Sequence, residues 1–282
     1  MSTWKSIAVF IDYADRDYRI LDYAGWLAQQ CDAHLIGIFN MGAVSTGADG
    51  STHVRGNAAI QEVIARRRQR EQEAVLEAGQ RLAAVGQNRG VSAEFRVLWR
   101  ASEAEDAALN SLHCDLVLIE DRRESCLPNG VTPERVVFEV GVPVIVVPEG
   151  WEQREDVKRV VVAWNATREA RRAVSDALTY IRMADQTTLL VVDPDKNEGR
   201  HGELPGTDAA HHLARHGGNI HTRAESSYGR SVNEVILAVA AQEEADLIVM
   251  GAYSKPRRRQ LLFGGVTRSM LSEVRYPVLI SR

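Results

Sequence analysis

The sequence predicts an α/β protein built as two tandem, five-stranded parallel-sheet α/β sandwiches. Three observations predict it. The apolar runs are short and continuous rather than alternating, as expected of strands covered on both faces of a parallel sheet. They alternate with stretches of helical periodicity, the pattern of successive β-α-β units. The same plan also occurs twice. IAVFID (Ile7 to Asp12) opens the chain, and VVVAWN (Val160 to Asn165) opens a second half in the same style. CDLVLIE (Cys114 to Glu120) corresponds to ADLIVMG (Ala245 to Gly251), and GVPVIVVP (Gly141 to Pro148) to RYPVLISR (Arg275 to Arg282). A repeat of this length in 282 residues signals duplicated domains rather than a solenoid.

In the first half, apolar runs place strands near 6–12, 34–39, 92–98, 115–120 and 143–147. Helical periodicity fills the intervals near 17–31, 57–88, 101–112 and 131–139. In the second half, strands fall near 158–164, 187–192, 219–225, 246–251 and 277–281. Helices fall near 168–184, 206–216, 231–244 and 265–274. The segment PEGWEQRED (Pro148 to Asp156) joins the halves, its charges, Pro and Gly suiting an exposed linker. Domains are therefore expected at 1–149 and 157–282.

Composition narrows the function. Hydrophobic residues make up 45% and charged residues 26%, ordinary for a globular protein. A net charge of −4 gives no general attraction to nucleic acid or anionic lipid. The run RRRQREQE (Arg66 to Glu73) is basic, but acidic residues follow on the same helix and no aromatic residues interleave to stack bases. It reads as a solvated, self-paired helix face. No apolar run approaches the ~20 residues that cross a membrane. MSTWKSIAVFID becomes strand-like at once and lacks a signal-peptide cleavage site. Cys31, Cys114 and Cys126 form no CxxC pair and fit reduced thiols. A cytoplasmic location is expected, without nucleic-acid or membrane partners.

The stretch GAYSKPRRRQLLFGGVTR (Gly251 to Arg268) carries the chemistry. It leaves a strand, DLIVM, and enters a helix beginning near Gly265. Helix N-termini offer unpaired backbone N–H groups to anions. Gly251, Gly264 and Gly265 allow close approach, and Lys255, Arg257, Arg258 and Arg259 raise the local potential for phosphate. The same residues also read as a surface loop with turn glycines and solvated arginines.

The chain resembles a tandem universal stress protein, two such domains fused in one polypeptide. The resemblance is clearest in VVVAWNATREARRAV, HGELPGTDAAHHLARHG and DLIVMGAYSKPRRRQLLFGGVTRSML with its terminal YPVLIS. It implies adenine nucleotide alpha hydrolase-like, Rossmann-like sandwiches packed about a pseudo-twofold through their last strands. ATP-binding members carry G-x2-G-x9-G followed by Ser or Thr, and an Asp after the first strand. Gly251 and Gly264 match the first and third glycines; Ser254 stands at the second, Gly265 at the hydroxyl residue, and Asn165 at the Asp. Thr267 offers a hydroxyl from a different place on the helix. The resemblance implies ATP or a related adenine nucleotide, with magnesium as its counter-ion, held by Asn165, Val192, Gly251, Ser254, Arg257, Gly264, Gly265, Val266 and Thr267. It implies a regulatory module of the stress response rather than an enzyme, with protein partners and a homodimer of the whole chain. Ser254 adds a Cβ that costs about 1 kcal/mol if its φ is positive. In the first half Asp12 keeps the carboxylate, but Glu120 and Asp121 stand where phosphate would lie, and DRRESCLPNGVTPER lacks the glycines.

Other constellations are weaker. His212 and His216, spaced i, i+4, and His201 form a candidate metal set without HExxH or a nearby Cys, so a polar helix is the default. Asp193 in VVDPD reads as a turn opener. No nucleophile elbow, Walker loop or matched acid–base pair is present, which leaves slow ATP hydrolysis as the upper bound on chemistry. A second reading is a nucleotide-independent protein that acts through partners or an apolar ligand between domains, with Asn40 to Gly56 as a lid.

Overall fold

The computed structural model describes residues 4–12, 18–40, 57–98, 110–121, 131–151, 156–197, 204–252 and 265–282. The chain divides into two compact units, Met1–Val140 and Gly141–Arg282. Both are α/β, as the alternation of apolar runs and helical periodicity predicts.

In the first unit β1 (Ser6–Ile11), β2 (His34–Asn40), β3 (Ala93–Leu98) and β4 (Leu116–Asp121) lie in the order β3-β2-β1-β4, all parallel. The apolar runs of β1 and β4 are buried on both faces, where Ile7, Val9, Leu116 and Leu118 have no exposed surface, whereas the edge strand β3 is exposed to half-buried. Helix α1 (Arg19–Cys31) buries Leu21, Ala24, Leu27 and Ala28 and ends at Asp32, whose φ of 50° turns its N–H back to the carbonyls of Ala28 and Gln29. Helix α2 (Asn57–Arg89) runs for 33 residues, yet its buried anchors are Ala74, Ala78 and Leu82, spaced one turn apart. Leu82 settles against Gly37 of β2, where a Cβ would lie 2.7 Å from the leucine methyl. Farther up α2, Arg66 pairs with Glu62 and Gln69 bonds Glu73 on exposed surface, as the mixed charges predict. Helix α3 (Pro133–Glu139) starts at Thr132, whose side chain accepts the Arg135 N–H, with Pro133 in the first turn. Of the helix expected near 101–112, residues 101–109 lie outside the described residues, and 110–113 form a turn.

The second unit contains β5 (Val144–Pro148), β6 (Arg159–Ala163), β7 (Gln186–Val192), β8 (Ile220–Glu225), β9 (Leu247–Gly251) and β10 (Val278–Ser281). Their order is β5-β10-β9-β6-β7-β8. Strands β6 to β10 are mutually parallel, whereas β5 runs antiparallel to β10, with Leu279 opposite Ile145. The last strand of each sequence repeat thus pairs with the other. Helices α4 (Arg168–Asp176), α5 (Leu178–Met183), α6 (Thr207–Arg215), α7 (Val232–Gln242) and α8 (Gly265–Ser272) complete the unit. The single helix expected near 168–184 is two, because the chain turns at buried Ala177, where ψ is 0°.

The repeat extends to individual hydrogen bonds. Asp115 Oδ2 accepts the N–H groups of Lys5 and Ser6 at 2.6 and 2.9 Å. Asp246 Oδ2 accepts those of Lys158 and Arg159 at 2.8 and 2.9 Å. One carboxylate thereby fixes the entry of the central strand in each unit. No helix among the described residues is long and apolar enough to cross a membrane.

Candidate functional site

In each unit the chain leaves a central strand, β1 or β6, toward one side of the sheet and returns on the other. β6 lies between β7 and β9, as β1 lies between β2 and β4. Such a reversal opens a crevice beyond the carboxyl ends of the two strands, where ligands of open α/β sheets bind. In the second unit the residues at that place are Asn165, just past β6, and Gly251, closing β9. Val192 ends the neighbouring strand β7 and is half-buried.

The β6 exit is tightly built. Trp164 N–H donates to Leu190 O at 2.8 Å and extends the pairing with β7. Ala166 then adopts a φ of 53°, a left-handed conformation strained for any residue with a Cβ. Thr167 caps α4: its hydroxyl oxygen accepts the Ala170 N–H at 3.3 Å and donates to Asn165 Oδ1 at 2.8 Å. Asn165 itself is exposed. Gly251 has its own packing reason. A Cβ there would lie 2.4 Å from the backbone nitrogen of Ala170 and 2.4 Å from the carbonyl carbon of Glu169. The glycine lets the first turn of α4 rest on β9.

Helix α8 opens at Gly265, which is exposed, with no atom of the described residues within 4 Å of where a Cβ would stand. Val266 is half-buried, and Thr267 is only 3% exposed, so its side chain belongs to the packed face of α8. The structure therefore brings Asn165, Gly251 and Val192 to the ends of three adjacent strands. Ser254, Arg257 and Gly264, with Lys255, Arg258 and Arg259, lie outside the described residues.

Asp193 closes a turn. Its φ is 50°, and its carboxylate accepts the Ser227 N–H at 2.8 Å and the Lys196 ammonium at 2.7 Å. The Lys196 and Ser227 contacts hold its carboxyl down at about 2. In the first unit Asp12 and Glu120 are 4% and 7% exposed, and Asp121 follows at the end of β4. Carboxylate side chains thus stand at this rim, where the second unit has Asn165 and Gly251.

The rings of His212 and His216 meet edge-on, with centroids 4.7 Å apart. Burial, with the charges of Arg171, His216 and Arg215, lowers the His212 pKa below its usual range. His201 lies outside the described residues, among which no group of three or more His, Cys, Asp or Glu could hold a metal. Cys31 and Cys114 are buried, and burial pushes the Cys114 thiol up to about 11, an inert group. Cys126 and residues 41–56 of the lid candidate Asn40 to Gly56 lie outside the described residues.

Two features escape a sequence reading. One is Thr167, whose cap position is its only sequence signal. The other is a groove of about 650 Å³ between α7 and α8, lined by Ser231, Asn233, Ser269, Arg275 and Tyr276 among others. Asn233 donates to Ser269 Oγ at 3.1 Å, while its buried Oδ1 has no hydrogen-bond partner among the described residues.

Comparison with known proteins agrees with this architecture. Residues 156–282 match the model of the Universal stress protein family. A universal stress protein from Archaeoglobus fulgidus DSM 4304 superposes with a TM-score of 0.69 at 17% identity, covering 98% of this chain and 96% of its own. A putative universal stress protein from Pseudomonas aeruginosa UCBPP-PA14 gives 0.61 at 15% identity, covering 99% and 93%. A protein of unknown function from Pseudomonas aeruginosa PAO1 gives 0.62 at 14%, covering 99% and 92%. These likenesses establish the fold along the whole chain. No curated protein matches the sequence.

Proposed function

We propose that this chain, whose residues 156–282 are a universal stress protein domain, is a stress-response module that binds ATP or a related adenine nucleotide in its second unit. The observation that carries the reading is the β6–β9 reversal: an exposed Asn165 stands on one side, and β9 runs out at Gly251 into the basic segment that ends at the N-terminus of α8. A nucleotide there would meet Asn165 and the end of β7 near Val192. Its phosphates would meet Ser254, Arg257 and the N–H groups of Gly264, Gly265, Val266 and Thr267. Thr267 would serve through its backbone, since its side chain is buried. Magnesium would then be held by phosphate oxygens and water rather than by a protein carboxylate. The module would bind and respond; among the described residues at this rim none is arranged as a base or a nucleophile.

Calorimetric titration of ATP into the wild type and Gly264→Val tests the reading. It predicts sub-millimolar binding by the wild type, at least about tenfold weaker in the variant, with phosphate release at the level of the blank. Absence of binding by the wild type overturns it. The second reading, a nucleotide-independent protein working through partners, draws on the carboxylate rim of the first unit, which does not suit an anion.

A further inference from the structure

Resting on the nucleotide reading above, we infer that Asn165 is held as a fixed hydrogen-bond donor, so that the second unit receives an acceptor atom of its ligand at β6 and needs no divalent cation there. Thr167 Oγ1 accepts the Ala170 N–H at 3.3 Å, and the same hydroxyl donates to Asn165 Oδ1 at 2.8 Å. The Glu169 carboxylate also lies within hydrogen-bond reach of this hydroxyl. The oxygen of the Asn165 amide is thereby engaged. Its NH₂ group has no protein partner among the described residues, and the side chain is exposed at the strand end. The half of the amide left for a ligand is the half that donates.

An aspartate in the same setting would behave in the opposite way. One carboxylate oxygen would take the Thr167 proton, and the other would face the crevice as an acceptor with negative charge. It would receive ligand hydroxyls, attract a divalent cation and repel a bare anion. The asparagine reverses all three. It offers a neutral donor to a ring nitrogen, a carbonyl or an anionic oxygen, and an NH₂ group is not a magnesium ligand. Ala166, at a φ of 53° between Asn165 and Thr167, narrows the conformations from which the amide can escape this bond. Thr167 is a positioning residue in this scheme, because it acts on the ligand only through Asn165.

The test is ATP titration, with excess magnesium and with EDTA, into the wild type, Asn165→Asp, Thr167→Val and Thr167→Ser. The side-chain amide of Asn165 is followed by ¹⁵N NMR in the wild type and both Thr167 variants. The wild type is expected to bind equally well in both conditions, to within about twofold, and its Asn165 amide signal to shift on binding. Asn165→Asp is expected to lose about tenfold in EDTA and to recover with magnesium. Thr167→Val is expected to broaden the amide signal and weaken binding without creating magnesium dependence, and Thr167→Ser to restore both. If the wild type needs magnesium, or Asn165→Asp binds as it does, the donor assignment is wrong while the nucleotide reading stands. If no protein binds ATP in either condition, the nucleotide reading fails, and this inference fails with it.

Discussion

The rims of the two units start from one plan and end with opposite chemistry. In each, an aspartate fixes the entry of the central strand, Asp115 through Lys5 and Ser6, Asp246 through Lys158 and Arg159. That shared bond aligns the repeats and makes Asp12 the counterpart of Asn165, and Glu120 the counterpart of Gly251. The first rim holds buried carboxylates; the second holds a neutral amide and a glycine. The two units share hydrogen bonds at the amino ends of their central strands and differ in the residues at the carboxyl ends.

Gly251→Val breaks this contrast most severely. Its side chain would overlap the α4 backbone, and unfolding in urea is expected to show a loss of about 3 kcal/mol or more. A loss below 1 kcal/mol would mean that α4 yields easily. Asp246→Ala and Asp115→Ala sharpen the comparison from the other side. Each strips a shared acceptor from two strand N–H groups and should cost about 1–3 kcal/mol, by similar amounts in the two units. Thr167→Val removes the cap of α4 and is expected to cost about 1 kcal/mol, read from the same denaturation curves.

The smallest effect is one of pH. The folded state holds the His212 pKa below its ordinary value, so the unfolded chain binds the proton more tightly. Stability is therefore complete above about pH 6.5, the unfolded value, and declines as pH falls from there toward the lower folded value. Denaturation midpoints at neutral and mildly acidic pH should show this slope in the wild type and a shallower one in His212→Gln. An unchanged slope would remove His212 as its source.

Much of this architecture was legible in the residues. Continuous apolar runs gave the parallel strands, and the paired motifs gave the correspondence of Asp12 with Asn165 and of Glu120 with Gly251. What stayed hidden depends on contacts between distant segments. Gly251 reads as a phosphate-approach glycine, but the space its Cβ would need is already occupied by Glu169 and Ala170, 82 and 81 residues earlier in the chain. Thr267 reads as an available hydroxyl, yet the face of α8 that it occupies is packed. The break at Ala177 carries no Gly or Pro to announce it. Asn165 was visible as a departure from the family pattern, but its orientation depends on Thr167 and on the first turn of α4.

The most direct test of the central claim, that nucleotide is taken by the second rim and not the first, is binding stoichiometry by equilibrium dialysis with labelled ATP. It would use the wild type, Gly264→Val and Asp12→Ala. The account predicts one nucleotide per chain, lost in Gly264→Val and retained in Asp12→Ala. Two nucleotides per chain, none, or a loss confined to Asp12→Ala would contradict it.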